Sequence, residues 1–290
     1  MMRTKAFFYS AVITILFVSG FTADRQLPPR LGIGAGLSQD SLAHAAGFTM
    51  IGESVRKMLA PDLTEAAFQQ NLKKIKGAKC KLMMCNLFFP GSLKIAGPDV
   101  IEPKVLGYAD SVLLRAEQAG VKFIVLGSGG SRNIPEGYPL DKTEAAFVPL
   151  GRKLGELAKK HNVVIALENL ETTETNFITS LKSAAAVVRK VNHPNFRLNA
   201  DIFHMMREGE APSEIIAAGD LLAFCELAEK EKRSLPGVMN DDFKPYFRAL
   251  RKVNYKGFIF IEGTITNAAV EIPNAFKYLT NQLAEVYAEK

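Results

Sequence analysis

Tryptophan is absent from the 290 residues, and only three cysteines and four histidines occur. The odd cysteine count excludes a framework in which every thiol is paired. Cys80, Cys85 and Cys225 all fall in apolar strand-like runs, so they read as buried thiols. Net charge is +6, but it is scattered in mixed clusters such as EKEKR at 229–233. No aromatic residues interleave with the basic ones to stack bases, so the composition gives no case for nucleic-acid binding. The uncharged apolar stretch from Ala6 to Val18 is too short for a comfortable membrane span. Preceded by Arg3 and Lys5 and followed by Ser19-Gly20, it reads as a signal peptide over residues 1–23; an uncleaved N-terminal anchor is the alternative. Cleavage would leave residues 24–290 as a single exported domain, periplasmic or extracellular, with no stable membrane span.

What is present is a regular alternation. Apolar, β-rich runs are expected as strands near 31–36, 48–53, 81–87, 121–127, 163–168, 196–201, 221–227 and 257–262. Helical patterns lie between them near 38–46, 64–76, 103–119, 141–160, 179–190, 212–218, 240–252 and 266–288. Asp141 followed by Glu144 resembles a capping box, and Gly120 suits a left-handed helix end. Runs such as VVIAL are continuously apolar, as in parallel strands covered on both faces. Eight strands alternating with eight helices favour an α/β fold, a single (β/α)8 TIM barrel, over an open doubly wound sheet. The GIGAG stretch lacks the spacing of a nucleotide-binding fingerprint and reads as a tight turn.

Four acids stand at strand ends: Glu168 closing VVIALE, Asp201 closing FRLNAD, Glu226 in LLAFCEL and Glu262 closing FIFIE. A buried carboxylate is costly unless a cation or strong hydrogen bonds compensate it. The four are spaced 33, 25 and 36 residues apart, each about one strand, loop and helix, so a barrel would converge them on one mouth. The alternative is that each caps a helix or pairs locally. Asp201 and His204 add a D-x-x-H just past a strand, whereas His44, His161 and His193 lie in segments of ordinary polarity. Earlier strands offer Glu53 and Asn86, for which capping or loop roles compete with binding. GSGGSR at 127–132 brings Arg132 and backbone amides that would cradle an anion or ligand hydroxyls, unless it is only a glycine turn. Phe88, Phe89, Phe203 and Met205 read either as an apolar wall for a ligand or as core.

The segments VVIALENLETTETNF, LNADIFHMMREGE, ELAEKEKRSLPG, NDDFKPYFRALRKVNYKG and FIFIEG make the chain resemble the xylose-isomerase-like TIM barrels. That family includes sugar isomerases and epimerases, hydroxypyruvate isomerases, inosose dehydratases and AP endonucleases of the endonuclease IV type. The resemblance implies a divalent metal held by Glu168, Asp201, Glu226 and Glu262, with Glu168 and Glu262 also carrying the proton. It implies that His204 and Arg233 bind substrate. The seventh strand of relatives commonly reads H-x-H-I-A-E, and alignment on Leu227-Ala228-Glu229 puts Glu226 where a histidine ligand is usual. An all-oxygen shell favours Mn2+ or Mg2+, with Ca2+ a further option, over Zn2+. Its excess negative charge calls for His204, Arg132 and Arg233 as neutralisers, or for one protonated Glu.

The implied activity is sugar isomerisation or epimerisation by proton abstraction next to a carbonyl, through an enediolate. A keto-sugar lyase or hydratase shares the same first step. A non-catalytic sugar-binding barrel is favoured by the missing histidine ligand, and the scarcity of histidine opposes an AP endonuclease. The expected partner is a small carbohydrate; oligomeric state is not legible.

Overall fold

The computed structural model describes residues 26–289. Its strands are β1 Arg30–Ile33, β2 Met50–Ser54, β3 Lys81–Asn86, β4 Phe123–Leu126, β5 Val164–Glu168, β6 Phe196–Asp201, β7 Leu222–Leu227 and β8 Phe258–Ile261. The helices are α1 Asp40–Ala46, α2 Val55–Met58, α3 Glu65–Gly77, α4 Glu102–Ala119, α5 Gly129–Arg132, α6 Leu140–Lys160, α7 Leu181–Val191, α8 Ile202–Glu208, α9 Ser213–Ala218, α10 Lys244–Lys252 and α11 Ala268–Ala288. The strands pair in chain order, all parallel, and β8 closes on β1. The (β/α)8 barrel expected from the alternation is therefore present. The expected signal segment lies outside the described residues. Among the described residues no helix is long and apolar enough to cross a membrane.

Period-two alternation divides each strand between two cores. Outward residues such as Ile51, Ile124, Ile165, Leu167, Leu198, Ile259 and Ile261 join the helices in the main apolar cluster. Inward residues Met50, Met84, Val125, Ala166, Phe224 and Phe260 fill the barrel axis as a second cluster. Burying one such side chain is worth about 1.5–3 kcal/mol, so the alternation fixes strand register strongly. Gly32 lies on the inward side of β1, where a Cβ would land on the Phe260 ring, 2.7 Å from its Cε1. Only glycine lets that ring cross the axis.

Each of the eight expected helices is found, and three short ones appear in addition: α2, α5 and α8, each directly after a strand or its connecting turn. These elements of four to seven residues are too short for a repeated apolar stripe, which is why periodicity does not register them. Gly120 ends α4 in the left-handed region, at φ 72°. The capping box expected at Asp141 does not form: α6 starts at Leu140 behind Pro139, with no side-chain cap. The reciprocal pair is instead Ser180 and Ser183 at the start of α7. All three cysteines are free and buried.

Candidate functional site

Each of the four strand-end acids stands two residues beyond an inward-facing position: Ala166 then Glu168, Asn199 then Asp201, Phe224 then Glu226, Phe260 then Glu262. Alternation therefore aims all four at the axis, on the C-terminal mouth of the barrel. One oxygen from each lies within 4.8 Å of those from the other three. Glu168, Asp201 and Glu226 are buried, and the Glu262 side chain is 19% exposed at the rim. Gly127, the inward residue ending the β4 side, makes this convergence fit. A Cβ there would meet Glu168 Oε2 and sit 3.2 Å from its Cδ.

The surrounding contacts orient each acid. Asp201 caps α8: its Oδ1 accepts from the Phe203 N–H at 2.8 Å and the His204 N–H at 3.3 Å, leaving Oδ2 turned to the site. One turn on, His204 Nε2 lies 3.5 Å from Glu168 Oε1 and 3.8 Å from Asp201 Oδ2. Asn169 clamps the Asp201 backbone, accepting from its N–H at 2.9 Å and donating to its carbonyl at 3.1 Å. Asn86 at the end of β3 donates to Glu262 Oε1, and Asn199 donates to Glu226 Oε2. Arg233 spans the mouth. Its Nη2 pairs with Glu262 Oε2 and its Nε donates to the Glu262 carbonyl at 3.2 Å. Its Nη1 donates to Glu174 Oε1 at 3.2 Å, and its guanidinium lies 4.7 Å over the Phe203 ring.

Charge in this site is out of balance. Burial, then the neighbouring Glu262 and Asp201 charges, push the Glu168 carboxyl well above its ordinary range. Burial and the Glu262, Glu168 and Asp201 charges do the same to Glu226. Glu262 is raised by burial, with Arg233 opposing. Burial opposes the charge on Arg233, but Glu262, Asp201 and Glu168 outweigh it and hold the guanidinium cationic. Asp201 Oδ2, Glu226 Oε1 and both His204 ring nitrogens are buried without a hydrogen-bond partner. Unsatisfied buried oxygens within a set of four carboxylates fit a hard dication, which would supply the missing positive charge. A cavity of about 220 Å³ opens above the acids, bounded by Asn86, Leu87, Glu168, Glu174, Arg233 and Glu262. That is below the 300–1,000 Å³ typical of drug-sized ligands and suits a small polar molecule. Cavities of about 760 and 700 Å³ elsewhere lie on the helical exterior, where no such set of acids converges.

Two expected site residues stand elsewhere. Glu53 is two residues from Ile51, which packs outward, so it also leaves the axis. Its Oε1 accepts from the Ser54 N–H at 3.0 Å and pairs with Lys57 Nζ at 3.2 Å. Arg132 is fully buried and donates from Nη1 to the Glu168 carbonyl at 2.9 Å; its Nε and Nη2 have no hydrogen-bond partner, and it is not among the residues that line the cavity. Burial pushes its pKa down to about 10. It braces the Glu168 backbone from behind the cavity wall. Phe88, Phe89, Phe203 and Met205 are all buried. The residues that sequence reasoning missed are Glu174, Asn169 and Asn199, together with the clearance that Gly127 gives Glu168. Strand parity carries the signal for Asn199 and Gly127; Asn169 and Glu174 sit in an irregular loop, where no periodicity marks them.

A sequence profile described as xylose isomerase-like TIM barrel matches residues 41–282. The chain belongs to this family. Within the family, an L-ribulose 3-epimerase of Methylomonas sp. (strain DH-1) is 28% identical over 175 residues, covering 56% of this chain. The matched stretch spans 58% of that relative's length. A solved L-ribulose 3-epimerase superposes with a TM-score of 0.76 at 17% identity, over 89% of this chain and 95% of that one. A 3-keto-D-glucoside 4-epimerase from E. coli gives 0.73 at 18% identity, over 87% and 99%. The likeness to the solved structures shows the barrel, and the family match places the chain among the xylose isomerase-like TIM barrels.

Proposed function

We propose that the chain is a divalent-metal-dependent epimerase or isomerase of a small sugar, moving a proton at a carbon next to a carbonyl. The observation that carries this is the pair Glu168 and Glu262, on the rim of one 220 Å³ cavity and within the same cluster of carboxylates. Glu168, Asp201, Glu226 and Glu262 would hold the metal, Mn2+ or Mg2+ by the all-oxygen set. When bound, such an ion polarises a carbonyl and stabilises negative charge on the adjacent oxygens. Burial raises the Glu168 and Glu262 carboxyls above the ordinary carboxylate range, which suits groups that must give a proton as well as take one.

The proton leaves the substrate carbon to one carboxylate, and its electrons pass to the carbonyl oxygen as an enediolate. Protonation from the other carboxyl on the opposite face inverts that carbon; return at the adjacent carbon isomerises the sugar. Arg233 and His204 would orient the hydroxyl oxygens, and Asn86 would fix the rotamer of Glu262. The kinship with 3-epimerases favours a ketose substrate.

A second reading is a lyase or hydratase on a keto-sugar, in which a leaving hydroxyl or alkoxide departs from the enediolate. The signal peptide expected over 1–23 favours it: export would remove the protein from cytoplasmic sugar phosphates and leave free, oxidised or glycosidic sugars as substrates. The mature N-terminus of protein recovered from outside the cytoplasm, read by mass spectrometry, tests that export.

The activity test is incubation of Mn2+-loaded protein with a panel of ketoses and keto-glycosides, followed by NMR of the products. New diastereomers or aldoses support the first reading, and dehydrated or cleaved products the second. Either product should disappear in Glu168→Gln and in Glu262→Gln. Full turnover in either variant, or no product with any sugar despite tight sugar binding, would overturn the enzyme assignment.

A further inference from the structure

Two residues past β7, Glu229 is fully buried although it carries a carboxylate. Its Oε1 accepts from the N–H groups of Gly237 at 2.7 Å, Asn240 at 2.9 Å and Asp241 at 3.3 Å. Its Oε2 accepts from the Met239 N–H and from the Ser234 hydroxyl at 3.0 Å. Its own N–H donates to the Ser234 carbonyl at 2.9 Å. One side chain thus gathers both ends of the segment 229–241. Hydrogen bonds to an ionised carboxylate are stronger than neutral ones, so the gathering is firm.

Arg233 projects from this segment. Lys232 and Arg233 adopt consecutive left-handed conformations, φ 60° and 50°. Two long side chains in succession rarely take that region, and strain of this kind persists only where the surroundings over-determine it. The Arg233 carbonyl accepts from the Thr264 N–H at 2.7 Å, and Ser234 bridges to Thr264. Gly263 leaves room for that approach, since a Cβ there would lie 2.8 Å from the Arg233 carbonyl oxygen. From this anchored backbone the guanidinium reaches Glu262, Glu174 and Asp201.

We infer that Glu229 is a positioning residue: its carboxylate holds the 229–241 segment in the strained form that delivers Arg233 to the mouth of the barrel. Glu229 touches no group lining the cavity and acts only through Arg233. The inference rests on the contacts themselves and stands whichever reaction the site performs.

The test is the 15Nε–1Hε resonance of Arg233, identified by its loss in Arg233→Lys. With Nε held to the Glu262 carbonyl, that proton should exchange slowly with solvent. In Glu229→Gln an amide NH2 would face the cluster of N–H donors. Exchange at Arg233 should then rise by roughly tenfold or more, while the barrel amides keep their protection. Ser234→Ala removes one donor and should give a smaller rise in the same direction. For any sugar that is converted, Glu229→Gln should shift KM and kcat in the same direction as Arg233→Lys, and the double variant should be no worse than Arg233→Lys. Unchanged Arg233 exchange in folded Glu229→Gln overturns the inference. Should that variant fail to fold, unchanged exchange in Ser234→Ala does so.

Discussion

Gly127→Ala separates the demands of the site from those of the fold. The added methyl would meet Glu168 Oε2, 3.2 Å from Cδ, with the Leu170 Cδ2 a comfortable 3.6 Å away. The nearest obstacle is the free end of a side chain, so it can retreat where backbone could not. Restoring ordinary contact moves the carboxylate oxygen by about 1 Å, and a misplacement of that size can cost on the order of 100-fold in turnover. Overpacking should meanwhile cost no more than about 1 kcal/mol, the low end for an inserted methyl, because the strain is relieved by one rotamer. For a domain of this size that lowers Tm by roughly 2–4 °C. Gly32→Ala is the contrasting case: its methyl meets the Phe260 ring, locked inside the barrel axis, and should cost about 1–3 kcal/mol. The assays are thermal unfolding with and without Mn2+, calorimetric Mn2+ titration, and turnover of whichever sugar is converted. Gly127→Ala should lose most Mn2+ affinity and activity with little change in metal-free Tm. Wild-type Mn2+ affinity and turnover in Gly127→Ala would refute the idea that the glycine is there for Glu168.

Further outcomes follow from charge and direction. Glu168, Glu226 and Glu262 have folded-state pKa values raised by burial, so the folded chain binds more protons than the unfolded one. Their contribution to stability is complete below the unfolded value of about 4.3 and is lost as pH climbs through the raised values. Metal-free protein should therefore melt higher near pH 5 than near pH 8, Mn2+ should reverse the order, and chelation with EDTA should restore it. Glu226→His replaces one oxygen donor by imidazole and should raise Zn2+ affinity relative to Mn2+ by roughly tenfold or more, read by competition with a chelating dye. Glu53→Gln should leave turnover within about twofold of wild type, because Glu53 points away from the axis; a larger loss would place it in the site after all.

Much of this architecture is legible in the sequence because strands announce themselves twice, by apolar content and by position relative to their neighbours. The eight runs of apolar residues and the recurrent acid at the end of four of them were enough to anticipate the barrel and the mouth where Glu168, Asp201, Glu226 and Glu262 meet. Glu53 shows how the same signal misleads. A place at a strand end does not by itself aim an acid at the mouth; parity does, and Ile51 two residues earlier packs outward. Arg132 failed for a different reason: α5 is a single turn that no periodicity reveals, and it folds the guanidinium inward onto the Glu168 carbonyl. Glu174 and Asn169 were missed because loop residues acquire their roles only from the closed ring around them. Glu174 meets Arg233 across 59 residues of sequence, and no local pattern encodes that distance.

Phe224, Phe260, Met84 and Ala166 pack the barrel axis beneath the carboxylates as a dry plug. Solvent can therefore reach Glu168 and Glu226 only from above, and a sugar seated in the 220 Å³ cavity would stopper that opening. A hydrogen lifted from the substrate would then be trapped with it for the lifetime of the complex. During isomerisation, where the proton returns at the adjacent carbon, much of it should be handed back to the same molecule, so solvent isotope should enter the product more slowly than the product forms. Epimerisation, where the other carboxyl delivers its own proton, should instead carry about one solvent-derived hydrogen into each inverted product, so label uptake against conversion tells the two courses apart.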